Sequence, residues 1–161
     1  FESHRQSRAG AAWNKASTWE EKDIAKWAHE LLKQTLLPAL AVKFDVSHDE
    51  RLPADAGLAD GGACSARVVS VESVSGDVTY VMSRGKQRVV FELALKLSLE
   101  LELQSSSGEL KQIVMGEVHI PEVSSDDLGE PQMPSYKCTC EQSGHSSWFK
   151  AAVGRECWSP L

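Results

Sequence analysis

Hydrophobic and polar residues alternate most regularly in the middle of the chain. Val89, Phe91, Leu93, Leu95, Leu97, Leu99, Leu101 and Leu103 are interleaved with Arg88, Glu92, Lys96, Ser98, Glu100 and Glu102. A two-residue period sends the large apolar groups to one face of a strand and the charges to the other. So extended, the segment would span about 50 Å and has to curl or bulge as it crosses a sheet. Before it, residues 67–82 also read as extended chain, with a bend or bulge expected at Ser75-Gly76. Ser83-Arg84-Gly85-Lys86 then supplies a hairpin turn bearing two positive charges. After the turn at residues 105–108, Leu110, Val114, Val118 and Ile120 line a further strand, with Gly116 on the same face. A glycine there lets a helix or bent neighbour approach closely. Pro121 is expected to end that strand, and residues 136–140 form a last short one.

Helical periodicity flanks these strands. Over residues 19–37, Ile24, Trp27, Ala28, Leu31 and Leu32 recur at three- and four-residue spacings, which puts Trp27 on a buried stripe. Ser17 or Thr18, each with a glutamate three positions on, offers a capping box, and Pro38 marks the end. Near the C-terminus Trp148, Phe149, Ala152 and Val153 fall on one helical face. The expected fold is α+β: a curved antiparallel meander of about four strands, with an N-terminal and a C-terminal helix on its apolar face.

The length of 161 residues suits one domain. Residues 1–12 read as a flexible leader or expression remnant, and residues 13–161 as the domain, with mobile loops at 45–64 and 122–134. The net charge of −6 disfavours nucleic acid, although a local basic patch can still meet an acidic partner. No apolar run approaches the ~20 residues of a membrane helix. A monomeric, cytoplasmic protein with reduced thiols is expected.

Candidate chemistry is sparse. Glu100 and Glu102 lie on the polar face of the long strand, and Asp126 and Asp127 in a loop, with no hydrophobic pocket to tune them. The acidic residues of 45–64 do not have the spacing of a calcium loop. Cys138, Cys140, His145 and Cys157 could be drawn as a zinc site, but Cys-x-Cys is not the usual ligand spacing. Neither a G-x-S-x-G elbow nor a phosphate loop is present. No cofactor is expected, and binding is favoured over catalysis. Trp19 is divided between packing and presenting an aromatic contact, while Trp13, in a polar stretch, suits an exposed anchor.

Two segments carry a family resemblance. Residues 19–27, Trp-Glu-Glu-Lys-Asp-Ile-Ala-Lys-Trp, resemble the tryptophan-bracketed opening of the N-terminal domain of the activator of the heat shock protein 90 ATPase. The run GDVTYVMSRGKQRVVFELALKLSLELE, followed by GEVHIPEV at residues 116–123, is similar to that family's basic turn, long strand and following strand. The resemblance implies a non-enzymatic co-chaperone that binds the middle segment of the chaperone and reorganises its catalytic loop. It also implies partner contacts at Arg84, Gly85, Lys86, Trp19 and Trp13. Where the family's turn reads Asn-x-Arg-Lys-Gly-Lys, this chain has Val81 and Ser83 at the first and third places. Where the family has Trp-His-Trp, Ser17 and Thr18 precede Trp19. The alternatives are a module for a client protein or small apolar ligand, using the curved sheet as a groove, and a chaperone adaptor that does not stimulate.

Overall fold

A computed structural model describes residues 19–131 and 133–157. Six strands form one antiparallel sheet, where about four were expected. They are β1 (Trp19–Asp23), β2 (Ala41–Asp45), β3 (Gly62–Ser83), β4 (Lys86–Ser105), β5 (Leu110–Ser124) and β6 (Lys137–Cys140). The order is β1-β3-β4-β5-β6, and β2 pairs with the other end of the β3 edge that holds β1. Helix α1 (Ala25–Leu31) follows β1, and α2 (Ser146–Glu156) follows β6.

The alternation of β4 works as expected over its second half. Leu93, Leu97, Leu99, Leu101 and Leu103 are buried, joined by Val114, Val118 and Ile120 of β5. Helix α2 closes this face with Trp148, Phe149, Ala152 and Val153, all at 1% exposure or less. Gly116 makes that packing fit: a Cβ there would lie 2.5 Å from both Phe149 Cζ and the Thr139 carbonyl oxygen.

The N-terminal region departs from the expectation of one helix over 19–37. Residues 19–23 form β1, and α1 begins only at Ala25, whose N–H donates to Asp23 Oδ1 at 2.8 Å. The N-cap residue is Ile24, and Asp23 just before it satisfies the first helical N–H; Ser17 and Thr18 lie outside the described residues. A π turn (Leu32–Leu36) and a 3-10 turn (Leu37–Ala39) continue the chain to β2. Trp27 is 61% exposed instead of core, because the stripe facing the sheet runs through Ile24, Ala28 and Leu32. At 100° per residue, Trp27 falls just off a stripe spaced by four.

The β3 irregularities lie between Val68 and Ser70 and between Val71 and Ser73. Ser75 and Gly76 stay in register with Ala94 and Leu93. Pro121 does not end β5. With Glu122 it occupies a bulge opposite Ala94, between the pairs Ile120↔Leu95 and Val123↔Leu93, where a missing N–H is tolerated. Of the loop expected over 45–64, Gly62, Ala63 and Cys64 belong to β3, and Val46 and Ala56 are buried. Ser124 and Asp127 form a capping box on a 3-10 turn, so the second loop starts later than residue 122.

Candidate functional site

The β3–β4 hairpin closes through two residues. Ser83 pairs with Lys86, leaving Arg84 and Gly85 as the turn, with φ of 52° and 75°. Positive φ at both central residues matches the right-handed twist of the strands, and it favours Asn or Gly at the first position. Arg84 is the sole non-glycine residue with positive φ among those described. Gly85 meets nothing within 4 Å where a side chain would begin, so its backbone conformation, not space, selects glycine.

Strand β1 brings a distant residue to this tip. Trp19 pairs with Ser83, Glu21 with Val81 and Asp23 with Thr79. Through β3, the same rows contain Lys86, Arg88 and Val90 of β4. Residues directly opposite share a face, so one face of the tip carries Trp19, Lys86 and Arg88, with Ser83 between Trp19 and Lys86, and with Glu21 in the Arg88 row across Val81. Trp19 is 51% exposed, and Val89 and Val90 add exposed apolar surface. Arg84, Lys86 and Arg88 form no ion pair among the described residues. Val81 is buried between Glu21 and Arg88 but stands outside the main core cluster. It packs on the face opposite Val78, which does belong to that cluster.

The structure thus brings together Arg84, Gly85, Lys86 and Trp19, and adds Arg88, which the sequence reading placed only on a polar face. Trp13 lies outside the described residues. The signal for Arg88 lay in the register, since only the pairing of β1 with β3 reveals which β4 residues stand in line with Trp19.

Elsewhere the candidate chemistry resolves into structural contacts. Glu100 Oε1 accepts from Arg67 Nη2 at 2.6 Å, and Asp127 Oδ2 accepts the Ser124 N–H at 2.6 Å. His145 is buried, its Nε2 3.1 Å from Gln112 Oε1, and Cys140 Sγ donates to the Gln142 carbonyl at 3.3 Å. No group of three or more His, Cys, Asp or Glu converges as metal ligands among the described residues. The four cysteines carry no disulfide, and burial pushes the Cys64 thiol up to about 12 and Cys138 to about 11. Thiols so disfavoured as thiolates are poor nucleophiles at neutral pH.

An open groove of about 360 Å³ lies on the core face, lined by Leu37, Leu40, Val42, Leu97, Ile120 and Met133 among others. No helix among the described residues is long and apolar enough to cross a membrane.

A family model described as the N-terminal domain of the activator of Hsp90 ATPase matches residues 21–157, most of the chain. The chain belongs to this family. Its matched span runs from β1 to the end of α2 and includes the basic hairpin. Among solved structures, a crystal structure of Aha-1 from Plasmodium falciparum is similar at 21% identity, with a TM-score of 0.47, covering 83% of this chain and 71% of that one. No curated protein sequence matches. The chain is therefore an Hsp90 ATPase activator-type domain, from a family defined by activating an ATPase.

Proposed function

We propose that this domain docks on the middle segment of Hsp90 through the β3–β4 tip and stimulates ATP hydrolysis by reorganising the loop that bears the catalytic arginine. The hydrolytic groups stay on the partner, and the domain acts as a cytoplasmic monomer. Arg84 carries the reading. An arginine held at φ 52° costs about 1–2 kcal/mol relative to a relaxed backbone, and such strain concentrates where a side chain has a task beyond folding. Trp19, Lys86 and Arg88 beside it supply an aromatic and cationic surface suited to an acidic or carbonyl-rich loop. Trp13 is kept as a further candidate contact on its residue type alone.

The test is the steady-state ATPase rate of Hsp90 titrated with the domain, with binding recorded on the same samples. Changing Arg84 and Lys86 together to alanine should weaken the apparent affinity roughly three- to thirtyfold, as expected for two solvent-screened charge contacts. Thermal stability should not fall. A folded double variant with unaltered stimulation would remove the turn from the mechanism. Binding without stimulation would mark an adaptor.

A second reading, a module for an apolar ligand, is favoured by the open groove beside Leu37 and Leu97. Saturable uptake of a fluorescent fatty acid, blocked by Leu97→Trp, together with no response to Hsp90, would put that reading first.

A further inference from the structure

Strand β5 begins to pair with β4 only at Glu92, which faces Ser124. Between the hairpin tip and that pair, residues 86–91 have β3 on one side and no strand on the other among the described residues. In a two-residue hairpin the closing pair, here Ser83 and Lys86, is hydrogen-bonded. Alternation then turns the N–H and C=O groups of Gln87, Val89 and Phe91 away from β3, to the open edge.

We infer that this edge accepts an extended segment of the partner as an added strand, and that the segment alternates acidic with apolar residues. The backbone groups supply the affinity of strand addition, and the side chains on the two faces supply its selectivity. One face presents Lys86 and Arg88, which form no ion pair among the described residues; the other presents Val89, 47% exposed, and Phe91. An incoming strand with Asp or Glu on the first face and Val or Ile on the second satisfies both. A second copy of this chain is a poor occupant: antiparallel self-pairing about Val89, the register that engages all three outward groups, sets Arg88 opposite Val90 and diagonal to the other Arg88, with no carboxylate directly opposite it. The inference deepens the docking reading above and depends on it only for the partner's name.

The experiment uses the isotope-labelled chain and a short synthetic peptide of alternating glutamate and valine with blocked ends. Saturating peptide should slow amide exchange at Gln87, Val89 and Phe91 by at least about tenfold. The same peptide N-methylated at alternate amides, or with lysine for glutamate, should have no effect. Val89→Pro removes an outward donor and should abolish protection. If that variant fails to fold, K86E with R88E should transfer the preference to the lysine peptide. Free-state exchange at the three amides under saturating peptide, or equal protection by all three peptides, would overturn the proposal. So would concentration-dependent protection without peptide, which would assign the edge to a second copy. Failure here with stimulation of Hsp90 intact sinks the edge alone; edge protection without stimulation sinks the activator reading alone.

Discussion

Arg84 occupies a left-handed position that asparagine would fill with less strain. Arg84→Asn should therefore stabilise the domain by about 0.5–1 kcal/mol, raising Tm by roughly 1–4 °C at this chain length. The same change should weaken stimulation of Hsp90. A rise in Tm without loss of stimulation would show that the arginine has no role at the turn. Gly116 tests the opposite situation. Its positions relative to Phe149 and the Thr139 carbonyl leave no room for a methyl group, so Gly116→Ala should cost about 1–3 kcal/mol in denaturant unfolding. Both glycines were legible from sequence, because a hairpin turn and an apolar strand face each make a specific demand on the residue. The strain at Arg84 was not legible, since it depends on the turn having exactly two residues between paired strands.

Elements whose stability is local were read well, and those stabilised by a distant partner were not. The second half of the β4 alternation and the Trp148-Phe149-Ala152-Val153 face stand in the structure as the periodicity predicts, whereas Val89 in the first half is exposed. Residues 19–23 contain Glu-Glu-Lys-Asp, a poor strand by composition. They form β1 because the tip half of β3 offers an open edge, an interaction invisible to a local window. Strand β2 does show the alternation of Val42 and Phe44 with Lys43 and Asp45, but the run between Pro38 and the loop expected from residue 45 is short and is assigned no element from sequence. The exposed Trp27 follows from how α1 is rotated on the sheet, with Ile24, Ala28 and Leu32 facing the core, a rotation that β1 and β3 set and a local window does not show. Trp27→Ala should accordingly cost under about 1 kcal/mol in thermal unfolding. Phe149→Ala, in the filled core, should cost about 3–5 kcal/mol. A large loss from Trp27→Ala would mean that its side chain is covered in solution.

Among the described residues, the core cluster lies largely beneath the second half of β4, while at the tip β1 pairs with β3 and Val81 is buried outside that cluster. The core's protonation behaviour is testable. Burial raises the Cys64 thiol from its ordinary value near 9 to about 12, so the unfolded chain releases this proton first as pH rises. Its stabilising contribution is complete below pH 9 and is lost between there and about 12. Stability should fall across that window by up to about 1.4 kcal/mol per pH unit from this group, and Cys64→Ala should flatten the slope in urea titrations at successive pH values. The division of the sheet has another consequence. The two β3 irregularities near residues 68–73 and the bulge opposite Ala94 set the body apart from the tip. Selection can then rewrite the tip's outward positions without repacking the body, provided Val78 and Phe91, which pack into the core cluster, are kept. A chimera that takes residues 19–23 and 77–92 from a relative but retains Val78 and Phe91, joined at the Gly76↔Leu93 pair, should keep the recipient's melting temperature and acquire the donor's chaperone preference.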